Sequence, residues 1–290
     1  MKILILGGSG FIGINIVNFL DSQNIEYLAT STKIKKKQKF IKYNLNEKLP
    51  QKIIEFKPNI IIALSWYGIP ELNKKNSSIN LKMYKNFLKE LKKLKYLNKI
   101  IFAGSCFEYQ IKKNQINDLK ESAKHISPTS FSITKNKINL LFKNYCKKEK
   151  ISFIWLRIFY IYGPFQRQLS IIPTFIYNLR ANKKTNIINP NKSIDFIHME
   201  DFLRLILIII KNNKFIIGKF NCGSGEATKL SNVFLMVKSH TKSKIEQKFD
   251  DNKGDQTIMY ANISKVKKYF LWKPNININI GIKKTVNNEI

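Results

Sequence analysis

The sequence predicts an α/β fold, a doubly wound parallel sheet, on three observations. A short apolar run, Lys2 to Leu6, passes through a glycine-rich turn into a segment with helical spacing. Short apolar runs bounded by turn residues then alternate with amphipathic segments as far as Phe159, the pattern of parallel strands joined by helical crossovers. One of those runs, Ile60 to Ser65 after Pro58, is continuous rather than alternating, as a strand covered on both faces requires.

The turn after the first strand reads Gly7-Gly8-Ser9-Gly10-Phe11-Ile12-Gly13, with glycines at Gly7-x-x-Gly10-x-x-Gly13. One glycine allows the tight turn, one lets the backbone approach a pyrophosphate, and one lets helix and strand pack closely. Phe11, Ile12, Ile16, Phe19 and Leu20 share a face of the helix that follows. Its N-terminus presents unpaired N–H groups and partial positive charge to phosphates. Strand, glycine turn and helix in this order make Gly7, Gly10, Phe11, Ile12 and Gly13 candidates for a dinucleotide.

The second strand, Glu26 to Thr30, ends at Ser31-Thr32-Lys33 without an acidic residue. A carboxylate at this place holds a ribose 2'-hydroxyl, whereas a basic group accommodates a 2'-phosphate. Lys33, with Lys35, Lys36 and Lys37 behind it, therefore favours NADP over NAD; a solvated basic loop is the competing reading. Asn44-Leu45 follows the third strand. A helix is expected over Leu81 to Leu97, a strand over Lys99 to Gly104, a helix over Thr134 to Lys147 and a strand over Ser152 to Phe159.

Ligands bind at the carboxyl edges of such strands, and three edges carry unusual chemistry. Ala103-Gly104-Ser105-Cys106-Phe107-Glu108-Tyr109 puts the Ser105 hydroxyl at the crevice. Ser127-Pro128-Thr129-Ser130-Phe131-Ser132-Ile133-Thr134-Lys135 is a proline-led helix start in which Phe131 and Lys135, four apart, share a face. Tyr160-Ile161-Tyr162-Gly163-Pro164 closes a strand and opens the C-terminal part. The expected organisation is a dinucleotide domain over 1–165, with about 195–222 returning to it, and a smaller substrate-side subdomain from 166–194 and 223–290.

At 290 residues and 44% hydrophobic, the chain buries a sizeable core. The longest apolar run, Leu205 to Ile210, lies between Arg204 and Lys211 and falls far short of the ~20 residues a membrane span needs. The N-terminus lacks a signal-peptide pattern, and the three cysteines, Cys106, Cys146 and Cys222, make neither a disulfide framework nor zinc-ligand spacing. The expectation is a cytoplasmic, reduced protein without metal or membrane. The net charge of +32 raises the question of nucleic acid, but no stacking-aromatic or RNA-binding motif accompanies the lysines. Lysine, isoleucine and asparagine together look like AT-rich coding, and a positive field also attracts an anionic sugar nucleotide.

With these residues in hand, the chain resembles an extended short-chain dehydrogenase/reductase of the NAD(P)-dependent nucleotide-sugar epimerase, dehydratase and 4-ketoreductase group. The likeness runs nearly end to end: GGSGFIG, GSCFEY, LRIFYIYGP, DFIHMED, NCGSGEATKL and ISKVKKYFLWKP. GSCFEY and the SWYG after the fourth strand resemble reductases and epimerases of deoxysugar biosynthesis, such as CDP-abequose and CDP-paratose synthases.

The resemblance implies a Rossmann-like fold, a nucleotide-diphosphate sugar as partner, and a homodimer through helices flanking the sheet. It implies that Ser105 hydrogen-bonds the sugar oxygen being oxidised or reduced and that Lys135 holds the nicotinamide ribose. It adds Asn44, Leu45, Leu64, Ser65 and Ile158 to the cofactor side, and Trp66, Tyr67, Tyr160, Arg167 and Arg180 to the substrate side. The family's proton-transferring tyrosine stands four residues before the lysine, where this chain has Phe131. A benzyl ring has no proton to give, and losing a positioned acid or base costs ~10²–10⁴-fold in rate. Four readings stay open: water or another group carries the proton, with Tyr109 and Tyr160 the nearest phenols; the chemistry is altered; the protein only binds its ligands; or the residue is an engineered change. Asn44 and Asn262 stand where the family often has aspartate, and Ile194 where an arginine often precedes Asp195. The Asp195 and His198 pair reads as part of a returning strand and helix rather than as catalytic.

Overall fold

A computed structural model describes residues 1–33, 39–123, 129–250 and 254–288. Lys35, Lys36, Lys37, Ser127 and Pro128, named above, lie outside the described residues. In chain order the first elements are β1 (Lys2–Leu6), α1 (Phe11–Ser22), β2 (Glu26–Ser31), β3 (Phe40–Lys42), α2 (Gln51–Phe56), β4 (Ile60–Ala63) and α3 (Lys74–Glu90). There follow β5 (Lys99–Ser105), a 3-10 turn at Cys106–Glu108, β6 (Ile116–Leu119), α4 (Ser130–Lys148), β7 (Ser152–Ile158) and β8 (Tyr160–Tyr162). The C-terminal part holds α5 (Ile171–Arg180), β9 (Ser193–His198), α6 (Met199–Lys211), β10 (Ile217–Cys222), β11 (Ala227–Lys229), α7 (Leu230–Thr241), β12 (Ile258–Ala261), α8 (Ser264–Phe270) and α9 (Ile278–Asn288).

Seven strands form one sheet in the order β10-β7-β5-β4-β1-β2-β3, and the pairs β1–β2, β1–β4, β2–β3 and β4–β5 are parallel. This is the doubly wound sheet that the alternation predicts. The chain builds outward from β1 to β3, then crosses to β4 on the other side of β1. That reversal opens a crevice at the carboxyl ends of β1 and β4, beside the glycine turn. The sheet's core is apolar and aromatic: Leu4, Ile61, Ile100 and Phe153 are buried, and Phe102 stacks on Trp155 at 4.6 Å between ring centroids while meeting Tyr84 at 4.8 Å and Phe142 at 5.3 Å.

Two compact units divide the chain. One comprises Met1–Gln110, Lys124–Arg157 and Ile210–Phe220; the other comprises Ile111–Ala123, Ile158–Ile209 and Asn221–Ile290. The units part at Arg157/Ile158 rather than at the expected 165/166, and of the stretch about 195–222 expected to return to the first unit Ile210–Phe220 does so, whereas the strand around Asp195 does not. β9 instead pairs with β11 and β12 in a second sheet ordered β11-β9-β12-β6, and β8 adds to β9. The reason is local: Asp195 Oδ1 accepts from Ser224 N at 2.6 Å and Ser224 Oγ at 2.7 Å, and its Oδ2 accepts from Gly225 N and Ala261 N, both at 3.0 Å. Desolvation raises the Asp195 pKa against those four donors, which identifies a structural junction of three chain segments rather than an acid–base group. His198 Nδ1 accepts from Glu200 N within the same unit.

Helix α3 begins seven residues before the sequence expectation, because Asn73 caps it by accepting from Asn76 N at 2.8 Å. Its first turns carry buried polar residues that serve the loop after β4. Asn80 accepts from Tyr67 N at 2.8 Å and donates to Tyr67 O at 2.9 Å, and Asn76 donates to Glu71 O at 2.9 Å. Helix α4 likewise starts at Ser130, capped by Thr129, whose hydroxyl accepts from Ser132 N at 3.2 Å. Among the described residues no helix is long and apolar enough to cross a membrane, and no group of three His, Cys, Asp or Glu is placed to hold a metal ion.

Candidate active site

The glycine turn is built by backbone packing, which can be read from what a Cβ would meet. Gly7 sits at φ +84°, a left-handed conformation that favours glycine, and a Cβ there would lie 3.0 Å from Ser65 N. A Cβ on Gly13 would meet Gly7 O at 2.3 Å and Gly8 Cα at 2.7 Å, so helix α1 approaches the turn backbone to backbone. Gly10 differs: its Cβ would meet only Gly7 O, at 3.5 Å. The protein leaves that side open, and Gly10 caps α1 without any side-chain hydrogen bond. An uncapped helix N-terminus beside open space suits a pyrophosphate, so the residues fit the dinucleotide.

Gly13→Ala forces a methyl into two backbone atoms that cannot rotate away. The expected result is a stability loss of ~1–3 kcal/mol with at least a tenfold weaker dinucleotide affinity. Thermal unfolding and calorimetric titration check it, and wild-type values for both would overturn this account of the turn.

At the end of β2 the buried Ser31 places Oγ 3.0 Å from Ser9 Oγ and accepts from Lys33 N at 3.2 Å. Thr32 and Lys33 are exposed. Leu45 is buried while Asn44 accepts from Asn46 N in a turn. Leu64 N donates to Leu6 O at 3.0 Å, tying the end of β4 to β1, and Ser65 O accepts from Tyr84 Oη at 2.5 Å. Ile158 closes β7.

Ser105 ends β5 and caps the following 3-10 turn. Its Oγ accepts from Phe107 N at 3.2 Å, while its own N–H donates to Glu108 Oε1 at 2.9 Å. The hydroxyl therefore spends one of its two acceptor lone pairs on the backbone and has its proton to donate, the polarity needed beside a carbonyl or alkoxide oxygen. Glu108, which the sequence reading assigned no role, holds this arrangement. It is fully buried, accepts from Trp155 Nε1 at 2.9 Å, and pairs with the equally buried Arg157 at 3.0 Å. Burial works against the Arg157 charge, and Glu108 with Tyr109 more than restores it, so the Arg157 pKa is raised. The signal was present: Ser105-x-x-Glu108 has capping-box spacing.

Helix α4 brings Phe131 and Lys135 to one face, as their spacing predicts. Lys135 is 6% exposed, and its Nζ donates to Ala103 O at 2.8 Å. Aromatic rings enclose it: Trp66 at 4.0 Å from Nζ to centroid, Phe131 at 5.6 Å, Phe102 and Trp155 at 5.9 Å. Trp66 meets Phe131 edge-on at 5.1 Å. Desolvation pushes the Lys135 pKa down to about 7, against a smaller opposing pull from Glu108.

This burial sets a pH dependence of stability. Between pH ~7 and pH ~10.4 the unfolded lysine binds more protons than the folded one, so unfolding free energy rises with pH across that window. Below it the full cost of the buried charge is present. Lys135→Met is expected to stabilise the fold by ~1–3 kcal/mol at pH 6, with the gain shrinking towards pH 10. Denaturant melts across pH test this, and a gain that grows with pH would contradict it.

Of the two phenols considered as substitutes for a tyrosine, one is engaged with a buried guanidinium. Tyr109 is buried, with Arg157 4.4 Å from its ring centroid and hydrogen-bonded to it. Tyr160 belongs to the second unit, where its ring lies 5.9 Å from Phe196. Arg167 and Arg180 are also in the second unit, and Arg180 donates to Val286 O at 2.6 Å, which commits it to α9. Tyr67 is exposed, with its backbone clamped by Asn80 as described. Cys106 is buried beside Ser105.

The chain is similar to known proteins over most of its length. A profile described as the NAD dependent epimerase/dehydratase family matches residues 3–223. The chain is 26% identical over 304 residues to a CDP-abequose synthase of Salmonella typhimurium, covering 97% of this chain and 96% of that one. Among solved structures it is similar to the UDP-glucose 4-epimerase of Thermotoga maritima with UDP-glucose, at TM-score 0.84 and 19% identity, covering 100% of this chain and 98% of that one. It is also similar to a tyrosine-to-phenylalanine mutant of the UDP-glucuronic acid 4-epimerase of Bacillus cereus, in complex with UDP-4-deoxy-4-fluoro-glucuronic acid and NAD. That likeness has TM-score 0.83 and 20% identity, covering 99% of this chain and 98% of that one.

Proposed function

The chain belongs to the NAD dependent epimerase/dehydratase family, and on that premise we propose that it reduces a ring carbonyl of a nucleotide-diphosphate sugar or epimerises one of its ring carbinol carbons. The single observation that carries this reading is Ser105, whose hydroxyl stands at a strand's carboxyl edge with its oxygen occupied by Phe107 N–H and its proton left to donate. Gly7, Gly10, Phe11, Ile12 and Gly13 would hold the dinucleotide phosphates, and Lys135 the ribose next to the nicotinamide. The dinucleotide supplies or accepts hydride. Ser105 polarises the substrate oxygen, and the aromatic walls of Trp66 and Phe131 exclude water.

For the cofactor we propose the phosphorylated form. Among the described residues the end of β2 offers Ser31, Ser9 and Lys33 and no carboxylate for a 2'-hydroxyl. Solved neighbours whose names carry NAD set the alternative. A cytoplasmic location and use of the product in surface-polysaccharide assembly belong to the same proposal.

The test combines native mass spectrometry of co-purifying ligands with turnover on CDP-, UDP- and dTDP-linked 4-keto sugars and on the corresponding 4-hydroxy sugars. A reductase consumes one reduced dinucleotide per sugar; an epimerase consumes none. NADPH is expected to bind at least tenfold tighter than NADH, and equal or reversed affinity would remove the NADP assignment. Binding of dinucleotide and sugar nucleotide with no turnover of either kind would leave a ligand-binding homologue, the second reading that Phe131 supports.

A further inference from the structure

The loop after β4 is fixed to α3 on both sides of Trp66. Before it, Ser65 O accepts from Tyr84 Oη at 2.5 Å. After it, Asn80 accepts from Tyr67 N at 2.8 Å and donates to Tyr67 O at 2.9 Å, while its amide also donates to Asn76 O at 2.7 Å. Gly68 presses the loop onto the same helix: it sits at φ +81°, and a Cβ there would meet Asn76 Nδ2 at 2.3 Å. Asn80 and Tyr84 are fully buried, so water does not compete for these clamps. The Trp66 side chain reaches from this loop to α4. Its ring centroid lies 4.0 Å from Lys135 Nζ, and the ring meets Phe131 edge-on at 5.1 Å.

We infer that Trp66 is a positioning residue of the cofactor side: from a clamped backbone its indole face holds the Lys135 amine in place for the ribose that the proposed function gives to that lysine, the reading on which this role rests. The resemblance sets Trp66 on the substrate side and gives it no such role. A lysine head rides on a flexible four-carbon stem, so one hydrogen bond, to Ala103 O at 2.8 Å, leaves Nζ free to swing. A second contact fixes it. Trp66 supplies that contact, because indole is the best aromatic partner for a cation and the attraction grows when the pair is desolvated. Lys135 is desolvated at 6% exposure, and the other three rings stand farther off, Phe131 at 5.6 Å and Phe102 and Trp155 at 5.9 Å. Phe131 carries no hydroxyl to share in the hold.

Calorimetric titration tests this with whichever of NADPH and NADH the wild type binds more tightly. Trp66→Leu is expected to weaken that dinucleotide about tenfold. Affinity for its adenosine half, ADP or the 2'-phosphate of ADP, should stay within about twofold, because that half has no nicotinamide ribose for Lys135 to hold. Trp66→Phe keeps a π face and should return to within about threefold of wild type. In a Lys135→Met background Trp66→Leu should change dinucleotide affinity by less than about twofold, since a residue that acts through the lysine has nothing left to hold. In proton spectra of the ligand-free protein, a lysine ε-methylene signal carried upfield by the indole ring current should be present in wild type and missing from both Trp66→Leu and Lys135→Met. Its absence from wild type overturns the contact, whether or not Trp66→Leu folds. Trp66→Leu that keeps its dinucleotide affinity, weakens the adenosine half equally, or shows the same loss beside Lys135→Met overturns the positioning role and leaves the cofactor reading intact. A wild type that binds neither dinucleotide, or Lys135→Met with wild-type affinity, overturns that reading and the positioning role with it.

Discussion

Ser105→Ala is expected to lower turnover by ~10²–10³-fold while leaving dinucleotide affinity within about threefold, as measured by single-turnover kinetics and calorimetry. The magnitude follows from how the hydroxyl is held. Phe107 N–H approaches Oγ at 3.2 Å and the Ser105 amide is fixed by Glu108 at 2.9 Å, so the hydroxyl oxygen is positioned before substrate arrives. A donor arranged in advance contributes to the transition state, where charge on the sugar oxygen is greatest, more than to ground-state binding. Most of the loss should therefore appear in kcat. Ser105→Thr keeps the hydroxyl and the cap and should retain more rate than Ser105→Ala. A variant that lost affinity and kept kcat would place Ser105 in substrate binding alone.

Much of this arrangement was legible in the sequence, for physical reasons that differ by element. The glycine turn announced itself because backbone-to-backbone contact at Gly7 and Gly13 tolerates no other side chain. The continuous apolar run of β4 was legible because a strand covered on both faces has nowhere to put a polar residue. The beginning of α3 was hidden because Asn76 and Asn80 are buried yet polar: they are spent on the backbone of the loop after β4, a use that helical periodicity does not register. The path of β9 was hidden too. Nothing in the chain near Asp195 reveals that its carboxylate gathers Ser224, Gly225 and Ala261 into a second sheet. The Ser105-Glu108 spacing was readable as a cap. Its connection to Trp155 and Arg157 was not, because it requires the sheet order that sets β7 beside β5.

That connection carries the other large effect. Glu108→Ala is expected to destabilise the protein by ~3–5 kcal/mol, because it strands a fully buried Arg157 charge and removes the acceptor for Trp155 Nε1. At ~2–4 °C per kcal/mol for a chain of roughly this size, the unfolding midpoint should fall by about ten degrees. Stability and function then separate in the double variant Glu108→Leu with Arg157→Met, which removes both charges together. Replacing a buried ion pair by apolar groups of similar volume is often neutral, so much of the lost stability should return. Activity should not return with it, because the Ser105 amide still lacks the carboxylate that fixed it and the hydroxyl is no longer held at its angle. A double variant that recovered both would show that Glu108 serves the core alone. A double variant as unstable as Glu108→Ala would show that the cost lies in lost packing rather than in the stranded charge.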